Sequence, residues 1–219
     1  MPLISEKRIM IEKIIFGMAI LAVVGGFIFA AVKLKGDSSN SAALPVNAVV
    51  STDQIKGSRE AKTILIEYSD FQCPACAVYA PITKKIVEEF NDKMAFVYRH
   101  FPLPQHKNAE LAALASEAGG RQNKFWQMHD AIFENQEEWE KAGNAEEIFI
   151  KYAEKIELNV EQFKNDLKSK ELKNKVASDL RGGQSAGVNS TPTFFLNGEK
   201  IQSRSYEEFK QIMESKINS

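Results

Sequence analysis

Phe71-Gln72-Cys73-Pro74-Ala75-Cys76 holds both cysteines of a 219-residue chain, two residues apart. Thr63-Ile64-Leu65-Ile66-Glu67-Tyr68 precedes them and is rich in β-branched and aromatic residues, which reads as a buried strand. Downstream, Val78, Ile82, Ile86, Val87 and Phe90 recur at helical spacing. The cysteine pair therefore lies where a strand hands over to a helix.

That position carries chemistry. Pro74 suits the first helical turn, where its φ is preset and no amide hydrogen is needed. Cys73 then faces the unpaired N–H groups and the positive dipole end of the helix, which favour a thiolate. A cysteine so placed has its pKa lowered from about 8.5 into a range of roughly 3.5–7.5. Cys76 lies nearly one turn inward, within reach of Cys73 and less exposed. Cys73 reads as the attacking and leaving sulfur, Cys76 as the resolving one. A structural zinc site needs two more Cys or His ligands, and the three histidines, His100, His106 and His129, form no close helical pair. A purely structural disulfide across so short a loop constrains little of the unfolded chain.

A second stretch, Gly187-Val188-Asn189-Ser190-Thr191-Pro192-Thr193-Phe194-Phe195-Leu196-Asn197-Gly198, completes a pattern. With the strand, the C-x-x-C pair, Pro81 eight residues after Cys73 and Glu67 six before it, the chain resembles thioredoxin-fold proteins. About 110 residues separate the two halves, too many for thioredoxin itself. That spacing, with Tyr98-Arg99-His100-Phe101-Pro102-Leu103 and Lys124-Phe125-Trp126-Gln127-Met128-His129-Asp130, resembles the bacterial DsbA-like family, in which a helical insertion interrupts a thioredoxin fold. The resemblance covers roughly residues 46 to 217. It implies an α/β thioredoxin fold with an inserted all-helical subdomain at about 105–186.

Composition is that of a globular chain, 44% hydrophobic and 26% charged, with net charge −1. That balance gives no case for nucleic-acid binding. The start of the chain differs. Ile14 to Val32 runs nineteen residues without a charge, about 28 Å as helix, close to the hydrocarbon thickness of a bilayer. A cleaved signal peptide has a shorter core and a small-residue cleavage site, so the reading is an uncleaved transmembrane helix, a signal-anchor. Lys7, Arg8 and Lys13 precede it; Lys33 and Lys35 follow. The excess places the N-terminus inside, and disulfide chemistry places the remainder outside the reducing cytosol. The expected organisation is a cytoplasmic segment 1–13, an anchor 14–32, a linker 33–47 and a catalytic domain 48–219 on the periplasmic or outer side. Gly36 to Asn47 is small, polar and proline-containing, as a flexible tether is.

Along the domain, Val46 to Val50 reads as a short first strand and Lys93 to Phe101 as a core strand. Residues 105 to 186 are helical throughout. Thr193 to Leu196 is a strand, Asn197-Gly198 its hairpin turn, Lys200 to Gln202 the return, and Tyr206 to Ile217 a closing helix. Asp70 reads as exposed or capping. The aromatic residues of the insertion read as core.

The family resemblance implies the mechanism. The oxidised form carries a Cys73–Cys76 disulfide; a substrate thiolate attacks Cys73, and the mixed disulfide resolves within the substrate. Pro192 is the implied cis-proline, leaving the backbone of Thr191 free to pair with substrate. Glu67, flanked by apolar strand residues that raise its pKa by burial, is the proton acceptor or donor for Cys76. Implied partners are exported proteins with cysteines and a membrane redox protein that recycles the pair; neither cofactor nor metal is called for. Ala75 stands where DsbA proteins carry a histidine that helps hold the thiolate. The alternatives are an extracytoplasmic reductase or isomerase, and a non-catalytic client-binding module.

Overall fold

The structure, a computed structural model, describes residues 44–217. The expected anchor at 14–32 and most of the tether lie outside the described residues. Within them, no helix is long and apolar enough to cross a membrane.

Strands β1 (Gln54–Gly57), β2 (Thr63–Ser69) and β3 (Met94–His100) belong to the first half, with helix α1 (Pro74–Phe90) between β2 and β3. Six helices follow: α2 (Ala109–Gly120), α3 (Phe125–Glu134), α4 (Gln136–Trp139), α5 (Ala145–Lys155), α6 (Val160–Leu167) and α7 (Lys170–Ser185). Strands β4 (Thr193–Leu196) and β5 (Glu199–Ile201) and helix α8 (Tyr206–Ile217) complete the domain. The sheet order is β1-β3-β2-β4-β5. Only β2 and β3 pair in parallel, across the α1 crossover; the other pairings are antiparallel. This is the thioredoxin fold with a helical insertion between β3 and β4.

Alternation along β2 assigns its side chains to two layers. Leu65 joins Ile86, Val87, Phe90, Phe194 and Phe209 under α1 and α8. Ile66 and Tyr68 join Val97, Phe101 and Phe195 on the other face. Both faces are covered, so β2 and β3 are buried along nearly their whole length, as central strands are. The insertion has its own core, in which Ala112, Ala113, Ala115 and Ala118 of α2 let neighbouring helices approach closely. Gly119 takes this further: a Cβ there would lie 2.9 Å from the Cβ of Met128 on α3. The aromatic residues of the insertion are core, as their spacing implied.

One expected element is absent. Residues 46–48 form a bend and 49–50 are irregular, and the edge strand is Gln54–Gly57. Backbone groups that a strand would pair are committed elsewhere. Arg99, fully buried on β3, binds the Asp53 carboxylate through Nε (3.0 Å) and Nη2 (2.9 Å), and donates to the carbonyls of Pro45 (2.6 Å) and Ala48 (3.1 Å) and to the Tyr68 hydroxyl (3.1 Å). The Val50 N–H meets the Asp53 side chain at 2.8 Å. Leu44 packs against Gly182, so the last residues of the stretch read as a tether already belong to the domain.

Candidate active site

Strand β2 ends at Ser69, and the chain turns through Asp70-Phe71-Gln72 into α1. Cys73 is the N-cap, extended at φ −74° and ψ 122°, with Pro74 in the first turn. Its own side chain makes no capping bond, so the sulfur is free to face the helix N-terminus. The Cys73 amide donates to the Asp70 carbonyl at 3.0 Å and its carbonyl accepts from Ala77 at 3.2 Å. Cys73 is 8% exposed and Cys76 fully buried, and both are free thiols.

The two sulfurs differ sharply in acidity. A hydrogen bond from the Cys76 thiol lowers the Cys73 pKa most; burial opposes it, and the Thr191 side chain with the Cys76 and Ala75 amides adds to it. The net result takes Cys73 down to about 5. Cys76 moves the other way, well above the ordinary thiol value, because it is buried, donates to Cys73 and feels the charges of Cys73 and Glu67.

The Thr191–Pro192 peptide is cis. It brings Thr191 against the pair, its carbonyl 3.5 Å from the Cys73 sulfur. The Thr191 hydroxyl is buried and has no other hydrogen-bond partner. Glu67 lies on the α1 face of β2, 3% exposed. Burial lifts its carboxyl to about 7, against weaker opposing hydrogen bonds from Ser69 and Thr83. Thus the five residues singled out in sequence, Cys73, Cys76, Glu67, Thr191 and Pro192, fall in one region at the ends of β2 and β4.

Asp70 is not exposed. It is 2% exposed, accepting from the Gln72 amide (2.7 Å), the Leu103 amide (2.8 Å) and His106 Nδ1 (2.7 Å). It fixes the turn into the cysteine pair and joins it to the β3–α2 loop. The remaining histidines engage carboxylates: His100 Nε2 lies 2.9 Å from Glu117, and His129 Nδ1 lies 2.9 Å from Asp130. Three amides also bear on the site that no motif announced. Gln72 donates to the Glu140 carbonyl at 2.7 Å and accepts from the Asn108 backbone N–H at 2.7 Å; the Asn108 side chain holds the carbonyls of Trp139, Glu140 and Ala142, and Gln136 donates to the carbonyls of Phe71 and Cys73. Isolated glutamines and asparagines carry no spacing pattern, so only the folded arrangement reveals them.

Residues 50–215 match the family model described as Thioredoxin. The chain belongs to the thioredoxin family. Within that family its likeness is to DsbA-like proteins. It is 30% identical to "Probable disulfide bond formation protein D" of Bacillus anthracis over 220 residues, covering 97% of this chain and 98% of that one. Among solved thioredoxin folds, BdbD from Bacillus subtilis superposes with a TM-score of 0.70 at 25% identity, covering 81% of this chain and 99% of that one. Wolbachia pipientis alpha-DsbA1 superposes equally well, TM-score 0.70, at 21% identity, over 78% and 94% of the two chains. A 149-residue region is also 36% identical to "Na(+)/H(+) antiporter NhaA 1" of Salinispora arenicola. That match covers 68% of this chain but only 22% of the antiporter, so the chain spans about a fifth of that relative's length.

Proposed function

We propose that the chain is a thiol–disulfide oxidoreductase that forms disulfide bonds in exported proteins through Cys73 and Cys76. The observation that carries this reading is the split in acidity between two adjacent sulfurs: Cys73 at about 5 and Cys76 well above the ordinary value. A low-pKa thiol is a good leaving group, and stabilising the reduced form makes the disulfide oxidising. The names and folds of the DsbA-like relatives support the same direction.

In the oxidised protein, a substrate thiolate attacks the Cys73 sulfur and breaks the Cys73–Cys76 bond. Cys76 leaves as a thiolate and, with its high pKa, takes a proton. Glu67 supplies it, being a carboxyl that remains half protonated near neutral pH. The substrate's second thiolate then attacks its own sulfur in the mixed disulfide, and Cys73 leaves as a stable thiolate. The substrate has lost two electrons and the protein has gained them. Thr191 and Pro192 line the site, and the Thr191 backbone pairs with the substrate's extended chain. The apolar stretch 14–32 anchors the domain to the membrane on its extracytoplasmic side, where a membrane redox partner returns the pair to the disulfide.

The test is oxidation of a dithiol peptide by the purified protein, with its reduction potential against glutathione. The native protein oxidises the peptide with a potential near the DsbA end, about −120 mV, and Cys73→Ser does not. A potential near about −270 mV, the thioredoxin end, would overturn the reading and make the protein a reductant.

Glu67→Gln gives a second expected result. Loss of the proton donor slows formation of the mixed disulfide at pH 7 by about 10²-fold, the low end of general acid–base contributions, and flattens the pH dependence around pH 7. The same change alters stability. A carboxyl raised from 4.5 to about 7 stabilises the fold only while protonated, so stability is lost as pH rises through 7. Removing that liability makes the variant about 2–3 kcal/mol more stable than wild type at pH 8.5. Parallel urea denaturation at pH 4 and pH 8.5 measures it.

A further inference from the structure

The helical insertion reaches the backbone of the cysteine pair through a single side chain. Gln136, the first residue of α4 and 9% exposed, donates from Nε2 to the Phe71 carbonyl at 2.6 Å and to the Cys73 carbonyl at 3.2 Å. Its platform is rigid. Trp139 is fully buried and its indole N–H holds the Ile132 carbonyl at 2.8 Å. Asn108 Nδ2 holds the carbonyls of Trp139 (2.9 Å), Glu140 (3.3 Å) and Ala142 (3.0 Å). Gln72 closes the arrangement from the cysteine side by donating to Glu140. Four residues of helix are thereby tied to both of their neighbours, and the side-chain amide of Gln136 goes to the carbonyl of the reactive cysteine and to that of Phe71, two residues before it.

Two consequences follow from elementary electrostatics. A carbonyl oxygen next to a thiolate is repulsive, and a donor bonded to it offsets its partial charge. The same bond holds the Cys73 peptide plane, whose orientation sets the first helical turn and with it the aim of the Ala75 and Cys76 amides at the sulfur. Both effects act on the charged dithiol form and hardly at all on the neutral disulfide, so they bear on the redox equilibrium as well as on stability.

We infer that Gln136 is a positioning residue of the helical insertion that raises the oxidising strength of the Cys73–Cys76 pair by holding the Phe71 and Cys73 carbonyls. The inference rests on the redox reading of that pair. It assigns the insertion a part in setting the chemistry, in addition to its place in the core.

The experiment equilibrates the full chain, native and variant, with glutathione. One glutathione disulfide and the protein dithiol exchange to give the protein disulfide and two glutathione thiols. The variants are Gln136→Met, which keeps the length and removes the donor, and Gln136→Glu, which puts a carboxylate in its place. Gln136→Met shifts the equilibrium constant about three- to tenfold toward the protein disulfide, tenfold being about 30 mV for a two-electron couple. The Cys73 thiolate, followed by its ultraviolet absorbance, titrates at a correspondingly higher pH. Gln136→Glu shifts both readouts further in the same direction. A merely structural role would lower the stability of the dithiol and disulfide forms equally. Variants that titrate as the native protein does, in both readouts, overturn the proposal while leaving the redox reading intact. A native protein that forms no disulfide at any glutathione ratio overturns both. If neither variant folds, the side-chain amide protons of Gln136 in the native dithiol protein are followed by NMR. A shift that tracks the Cys73 titration supports the proposal, and constancy through it overturns it.

Discussion

The stability of the dithiol form relative to the disulfide form is expected to fall by about 3 kcal/mol as pH drops from 8.5 to 4. The cause is Cys73. Its pKa is about 5 in the fold and close to the ordinary thiol value once unfolded. A depressed pKa contributes stability that is fully present above the unfolded value and is lost as pH falls through the folded one. The full difference between the two values would give more than 3 kcal/mol; partial exposure of the sulfur's surroundings screens it. The disulfide form has no thiolate and lacks this contribution. Closing the short loop adds an offset that does not depend on pH. Cys76 enters only at more alkaline pH, because its own pKa lies well above the ordinary value. Denaturation of both forms across this range, with the alkylated thiol state checked at each pH, measures the difference directly. Parallel pH profiles for the two forms would show that Cys73 is not held as a thiolate.

Replacing Arg99 by leucine is expected to cost about 3–5 kcal/mol, the usual range for removing one partner of a buried ion pair. Arg99 and Asp53 both have fully buried side chains, and the guanidinium also serves the Pro45 and Ala48 carbonyls and the Tyr68 hydroxyl. The substitution leaves a carboxylate without its cation and two backbone carbonyls without donors. Pairing Arg99→Leu with Asp53→Leu removes the stranded charge, so the double variant regains a large part of the loss. Urea midpoints of the two single variants and the double variant measure the coupling. A single variant within about 1 kcal/mol of wild type would show that the pair does not hold the 44–53 segment to the sheet. Lysine is no substitute at this position, since one ammonium cannot reproduce a planar fork bonded on several sides.

The same arginine shows where a linear reading stops. Val46 to Val50 has the β-branched composition of a strand, and nothing nearby in sequence says otherwise. What excludes it is a side chain about fifty positions later that takes the carbonyls of Pro45 and Ala48. Asp70 is the converse case. A lone aspartate in a polar turn reads as exposed or capping; its carboxylate does take the nearby Gln72 amide, but it is buried and also holds the Leu103 amide and His106 of a loop more than thirty residues away. The glutamines are harder still. Gln72 and Gln136 become informative only when one chain segment faces another, because an amide side chain has no preference that survives outside its hydrogen bonds.

The elements read correctly share a different property: their cause is local. Proline after Cys73 presets the first helical turn, alternation in Thr63–Tyr68 matches a central strand, and Asn197-Gly198 permits the positive φ values, 50° and 88°, that the β4–β5 turn adopts. Spacing alone placed the cysteines at a helix N-terminus, and that placement already implied an acidic Cys73. The sequence by itself therefore determined the fold, the place of the cysteine pair at a helix N-terminus and the residue types around it. Tertiary structure decided how the pair is tuned: the depth at which Cys76 and Glu67 are buried, the approach of Thr191 to the Cys73 sulfur, and the grip of Gln136 on the turn. These depend on desolvation and on hydrogen bonds between segments tens of residues apart, and neither quantity exists until the chain has closed on itself.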